Sequence, residues 1–444
     1  MLPLLLFLLC GALLAAPAGA PQKAFPYPYD QHDFPNGLRL ITIPTDYPNV
    51  VALFIVVGTG SRNEVEPGKS GFAHLFEHMM FRGTRRFPPA KYEATLKQAG
   101  AASNAYTTDD HTAYHTTFSK EDLETILSME ADRFQNLEYP QGVFKTETLA
   151  VLGEYNKNST SPTSKLSEVL RDTAFDRHTY KHTTMGFLKD IQDMPNQYEY
   201  SRLFFDRYYR PQYTTIIVAG DVSPERVRPL AQKYWGNWKR GDYQPPIPAE
   251  PPQRGPRANQ IQWPTPTLPW VVVSFHGPAY SDQQKEQAAL DLISFLGFSE
   301  SSALYQKLVI QEQKVDTLQA DSPDRVDPYL FSVWARLKKP ADLESVRQDI
   351  LATLESFKGK PVAAERLDEV KRHLRYSFAL SLNNSETIAG LVARFVALRR
   401  TPETINRLYD LYEQITPEDI RSVARKYLIE SGRTIVTLTG GKAQ

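Results

Sequence analysis

Two stretches of similar pattern, AYHTTFSKEDLETILSMEADRFQNL (residues 113–137) and YLFSVWARLKKPADLESVRQDILATLESF (residues 329–357), set the fold class. Each opens on an apolar, β-branched and aromatic run that reads as a strand. Each then passes through a charged turn into apolar residues at helical spacing. Their surroundings also correspond. Upstream of the first lie the strand pair LRLITIP (38–44) and VVALFIVVG (50–58) and a helix near 71–82. Upstream of the second lie the strand PWVVVSFHG (269–277) and the helix QQKEQAALDLISFLG (283–297). The halves close on TTIIVAGDVSPERVRPLAQKYW (214–235) and ITPEDIRSVARKYLIESGRTIVTLTG (415–440). Strand runs alternating with helices in two matching series predict an α+β chain of two similar domains. Each would be a mixed β-sheet with helices packed on one face.

Between the series, KRGDYQPPIPAEPPQRGPR (239–257) is rich in proline and charge and lacks apolar periodicity. It reads as an extended linker, dividing a domain over 25–238 from one over 258–444. A length of 444 residues suits two domains. The opening MLPLLLFLLCGALLAAPAGA resembles a signal peptide over 1–20, with a small-residue cleavage site, and predicts a periplasmic or secreted protein. A retained membrane anchor is the alternative. Cys10, the one cysteine, falls in that segment. The exported chain would have no disulfide and no thiol nucleophile, so a metal site would need His, Asp or Glu. Lys plus Arg (51) equals Asp plus Glu (51), which gives no support to nucleic-acid binding.

The sharpest local signal is GFAHLFEHMMF (71–81). His74 and His78 are four apart, so on a helix both imidazoles share a face, as two ligands of one ion require. Glu77 stands at the edge of that face, where a carboxylate can activate a water without ligating. Ser70 is the expected helix cap. Phe72, Leu75, Phe76, Met79 and Met80 predict a buried helix, in which two histidines and a glutamate are costly unless paired or metal-bound. The pattern is H-x-x-E-H, the inverted zinc-peptidase motif. A catalytic zinc needs a third protein ligand and an open position. The helix pattern GVFKTETLAVLGEYNKN (142–158) offers Glu154 as ligand and Glu147, seven residues earlier and nearly on the same face, as its neighbour. Spacing alone leaves open that both are solvated helix glutamates.

Seven segments in order then resemble one family: FPNGLRL (34–40), GSRNE (60–64), GFAHLFEHMMFRGT (71–84), SNAYTTDDHTAYH (103–115), EADRFQNL (130–137), ETLAVLGEYNKN (147–158) and YRPQYTTIIVAGDV (209–222). Together they resemble the pitrilysin/insulinase zinc peptidases, in the half-length branch related to the mitochondrial processing peptidases. The resemblance runs over roughly 30–440, nearly the whole mature chain, and implies half of a clamshell. It implies Zn2+ held by His74, His78 and Glu154, Glu77 as general base, and Glu147 as an assisting acid. Asn104 and Ala105 match the segment that grips substrate backbone beside an edge strand.

One departure stands out. The family's active members bring an arginine and a tyrosine, seven apart, from the second domain onto the substrate. Here the matching segment is SSALYQKLVIQEQKVDTL (301–318), with Ile310 and Thr317 at those places. Neither supplies a charged or phenolic donor to a developing oxyanion. The resemblance therefore implies a zinc metalloendopeptidase acting on peptides or unfolded segments. It would be the catalytic subunit of a heterodimer whose second half-length subunit supplies the arginine–tyrosine pair. A homodimeric peptidase and a non-catalytic structural or peptide-binding subunit are the alternatives. His111, His115, His178 and His182 are read as strand or loop residues without a metal role.

Overall fold

The computed structural model describes residues 23–441; the expected signal segment over 1–20, with Cys10, lies outside them. The first half runs β1 (Asp30–Asp33), β2 (Arg39–Pro44), β3 (Val50–Val57), α1 (Phe72–Met79), α2 (Pro89–Gln98), β4 (Ala102–Thr107) and β5 (Thr112–Ser119). It continues α3 (Leu123–Asn136), α4 (Gln141–Asn158), α5 (Pro162–Ala174), α6 (Leu188–Asp193), α7 (Tyr198–Tyr208), β6 (Thr214–Gly220) and α8 (Pro224–Trp235). The second half runs β7 (Arg257–Trp263), β8 (Trp270–His276), α9 (Lys285–Phe298), α10 (Ala303–Tyr305), β9 (Val315–Asp321) and β10 (Leu330–Leu337). It closes with α11 (Leu343–Gly359), α12 (Ala364–Ser381), α13 (Ser385–Arg399), α14 (Glu403–Gln414), α15 (Pro417–Tyr427) and β11 (Arg433–Gly440).

The two sheets are ordered β1-β2-β6-β3-β5-β4 and β7-β11-β8-β10-β9. Once β1 is set aside, the orders superimpose. In both, the first two strands are parallel and the remaining pairs antiparallel. The repeat expected from pattern is thus a repeat of topology, with β4 and β9 as equivalent edges.

Strand alternation gives each sheet two apolar faces. Leu40, Val51, Leu53, Ile55, Ile216 and Val218 of the first sheet join a core with Phe72, Phe76, Leu127 and Trp235 of its own helices. Their alternates, including Ile41, Ala52, Phe54, Val56 and Ile217, join a second core with Ile388, Val392 and Val396 of α13. The second sheet sets Val271, Val273, Phe331 and Val333 against Leu292, Ile350 and Leu354 of its own helices. On its other face, Val272, Leu330, Val436 and Leu438 pack with Leu166, Leu170 and Ala174 of α5. Each half therefore lends one helix to the far face of the other half's sheet. α5 and α13 are the third helices after β5 and β10, so the loan is reciprocal and follows the repeat. The expected one-face layer of helices is present in each half, and the exchanged helix covers the face it leaves bare. Neither sheet can bury both faces without the other half.

Among the described residues, no helix is long and apolar enough to cross a membrane.

Candidate active site

α1 brings His74 and His78 to one face, and α4 packs beside it to bring Glu154. Glu154 Oε2 lies 3.6 Å from His74 Nε2 and 3.5 Å from His78 Nε2. One ligand atom from each of the three falls within 4.8 Å of the others. Ligands about 2.0–2.2 Å from a tetrahedral zinc stand about 3.3–3.6 Å apart. The two His–Glu separations match that spacing and are long for direct hydrogen bonds. Two neutral imidazoles and one carboxylate also suit zinc by donor type. Burial holds the pKa of His74 below its ordinary value, against the opposing pull of Glu77 and Glu154. The neutral ring is the form that can ligate. By spacing, donor type and protonation, the residues present fit a zinc ion.

Glu77 points to the same side. Its Oε2 accepts a hydrogen bond of 2.7 Å from Thr107 Oγ1, at the end of β4. Thr107 received no role from sequence, because its link to Glu77 exists only once β4 lies beside α1. Glu147 is buried. Its Oε1 meets Arg82 Nε at 3.0 Å and its Oε2 lies 3.9 Å from His78 Nδ1. Arg82, just beyond α1, thus anchors a carboxylate beside the second histidine.

β4 is the edge of its sheet, so the outer row of its backbone N–H and C=O groups faces no strand. Asn104 is exposed there and Ala105 is buried beneath it. His115 stands on β5 opposite Asn104. His111 follows the edge strand and bonds Thr108 Oγ1 through Nδ1 at 2.9 Å. Burial, with Arg325 and Arg394 nearby, pushes His111 down to about 4. His178 pairs with Asp327 and His182 with the Thr183 carbonyl.

Residues 39–187 match the sequence profile described as Insulinase (Peptidase family M16), and residues 197–374 match that described as Peptidase M16 inactive domain. The chain belongs to the insulinase (peptidase M16) family. It is 29% identical over 412 residues to the zinc protease PqqE of Helicobacter pylori, covering 91% of each chain. It is 22% identical over 408 residues to the mitochondrial-processing peptidase subunit beta of Caenorhabditis elegans, covering 89% of this chain and 86% of that one. A crystal structure of a protease from Helicobacter pylori superimposes with a TM-score of 0.86 at 28% identity, over 93% of this chain and 99% of that one. The fold also matches the periplasmic protease PqqL of Escherichia coli with a TM-score of 0.75 at 19% identity, over 95% of this chain and 48% of PqqL. This M16 chain therefore has the length of one half of PqqL.

The segment that corresponds to the family's arginine–tyrosine pair runs through a π-helical stretch, Gln306–Gln311, into β9. Ile310 is exposed there, and Thr317 lies on the second sheet's edge strand.

The family segment GSRNE (60–64) had no assigned role in the sequence, and the structure gives each residue one. A Cβ on Gly60 would stand 2.3 Å from the Thr108 carbonyl oxygen, so only glycine allows this close approach. Ser61 Oγ donates to Asp109 at 3.1 Å, and Arg62 Nε donates to Asp327 of the second half at 2.5 Å. Asn63 Oδ1 accepts from Gly60 N at 3.0 Å. Glu64 accepts from Gly71 N and Ala73 N, both at 2.7 Å. It thereby caps α1, whose N-cap residue Gly71 (φ 92°) has no side chain to do so. The expected cap, Ser70, instead donates its hydroxyl to Asp190 at 2.6 Å and accepts from Phe187 N at 2.8 Å. The left-handed turn at Gly71 points the chain away from Ser70, and the cap falls to the Glu64 carboxyl, whose pKa burial pushes up to about 8 against the two backbone donors.

Asp109, in the loop after β4, ties the halves together. It accepts from Arg171 of α5 at 2.6 Å and from Arg325 of the second half at 2.9 Å. Burial would raise its pKa, but these two guanidinium groups hold it well below the usual carboxylate range.

Proposed function

We propose that this chain is a zinc metalloendopeptidase of the M16 family that cuts peptides or unfolded segments. It would act as the catalytic subunit of a two-subunit enzyme exported from the cytoplasm. The observation that carries the reading is the convergence of His74, His78 and Glu154 within one ion's reach. Glu77 stands beside them on the same helix, next to a free sheet edge. Family membership and relatives named zinc proteases support it.

Zinc held by His74, His78 and Glu154 would supply a Lewis acid, polarising the scissile carbonyl and making the attacking water more acidic. The protein's own groups do the rest. Glu77 accepts the attacking water's proton and later delivers it to the leaving amine. Thr107 orients the Glu77 carboxylate through its hydroxyl. Glu147, held by Arg82, steadies the His78 ring. The outer edge of β4 pairs with the peptide backbone as an added strand, with Asn104 and Ala105 at the contact. Ile310 and Thr317 leave the oxyanion side without a strong donor, so a second half-length chain carrying an arginine and a tyrosine would complete the site.

Two measurements test the reading. Purified chain should hold about one zinc, and Glu77→Gln should keep the metal while losing hydrolysis by roughly 10²–10⁴-fold. Adding a half-length family member with the arginine–tyrosine pair should raise turnover strongly. Metal-loaded Glu77→Gln that still turns over removes Glu77 from the mechanism, and full activity of the lone chain removes the partner.

A further inference from the structure

One surface beside the edge strand has no role in this reading: the flank of α13, on the sheet face opposite α1. α13 packs chiefly on β3 and β6, so its flank borders the β5–β4 end of the same sheet face. Glu386, Gly390 and Arg394 lie one turn apart along it. A Cβ on Gly390 would meet the Phe54 ring at 3.3 Å, and Phe54 stacks on His115 with centroids 4.8 Å apart. Glu386 Oε1 lies 3.5 Å from His115 Nδ1, and His115 is the register partner of Asn104. At the far end, Arg394 Nη2 donates to Asp324 at 2.9 Å, and its charge acts on Tyr106 and His111. The charged stripe therefore follows β4, with Glu386 at the Asn104 end. Arg394 stands at the Tyr106 end, on the sheet face opposite α1, one strand residue from Thr107, which bonds Glu77.

The internal repeat separates structural use from availability. Arg171 and Arg394 are the tenth residues of the two exchanged helices. Each bonds an aspartate in the edge loop of its own half, Asp109 or Asp324. Arg171 is 13% exposed, closed over by its partners. Arg394 is 63% exposed although Asp324 is 5% exposed, so the same bond is made while the side chain stays open to solvent. Glu386 is likewise 47% exposed.

Eight helical residues rise about 12 Å. On an extended peptide, same-face side chains four residues apart stand about 13 Å apart. We propose that Glu386 and Arg394 set the substrate preference. Arg394 receives an acidic side chain near the bond to be cut, and Glu386 a basic one four residues along the added strand. The inference rests on the peptidase reading for the placement of the peptide against β4.

The test uses the full chain, zinc-loaded and carrying Glu77→Gln, with labelled peptides followed by fluorescence anisotropy. The peptides differ at two positions four apart: Glu and Lys, Lys and Glu, Glu at both, or Gln at both. One charged order should bind roughly fivefold tighter than the Gln peptide, and the other order should not. Adding Glu386→Lys should abolish the gain from Lys and favour a peptide with Glu at both positions. Arg394→Gln should abolish the gain from Glu. If leaving Asp324 unpaired unfolds that variant, Glu386→Lys still decides. Equal affinities, no binding, or an unchanged order in Glu386→Lys overturns the proposal. Wild-type hydrolysis without charge preference would sink it and leave the peptidase reading intact. Charge-selective binding by Glu77→Gln, with a wild-type chain inert even beside a half-length partner carrying the arginine–tyrosine pair, would do the reverse.

Discussion

α1 and α9 hold the same place in the repeat: each follows the central antiparallel strand of its sheet and precedes the edge hairpin. α1 carries His74, Glu77 and His78, whereas α9 buries Ala288, Ala289, Leu292 and Ile293. The same contrast separates α4 from α12. At the distances from the helix start where α4 has Glu147 and Glu154, α12 has Val370 and Ser377. The stretch matching the profile described as Peptidase M16 inactive domain, residues 197–374, contains α9 and Val370. The scaffold needs only apolar faces and a sheet order, and both halves supply them. The site needs a few polar side chains, which a buried helix tolerates because they have one another and, in the proposed enzyme, a zinc ion as partners.

The largest effect should come from breaking the half that carries the chemistry, the Glu77→Gln loss of turnover already described. Next is the joint between halves. Asp109→Ala leaves Arg171 and Arg325 without their counter-charge and should cost about 3–5 kcal/mol, read as a drop in denaturant midpoint. The exchanged helices give the comparison its sharpest form. Leu170→Ala in α5 and Ile388→Ala in α13 remove buried side chains from opposite ends of the exchange. Each should cost about 2–5 kcal/mol, and unfolding should stay a single transition with both halves melting together. Two separate transitions would show that the halves stand alone. The smallest effect is on pH. Burial raises the Asp327 carboxyl, but His178 and Arg62 outweigh it and hold it at about 2. Folding depresses this pKa, so its contribution of about 1–2 kcal/mol is complete above about pH 4 and fades as pH falls toward 2. Thermal melts of wild-type protein and Asp327→Asn across that range should converge at the acid end.

Much of this was legible in local pattern. The H-x-x-E-H spacing needs only helical periodicity to place His74 and His78 together. Glu147 and Glu154 share a face by the same rule. The proline-rich stretch 239–257 contains no helix or strand up to the start of β7. Thr107, Arg82 and Glu64 were not legible in the same way. Thr107 and Glu77 are thirty residues apart and meet only when the edge strand lies beside α1. The cap of α1 failed as a local rule because Glu64 reaches it from outside the helix.

By itself the sequence determined the element series, its duplication and the face of α1 that carries the histidines, because periodicity and turn chemistry are local properties. Tertiary structure alone decided that α5 and α13 change places and that Asp109 ties the halves together. It also decided that Arg171 is closed over while Arg394 stays exposed. An apolar helix face states that it must be covered and does not state by what. That choice belongs to the whole chain, where each sheet has a second face that only the other half can bury.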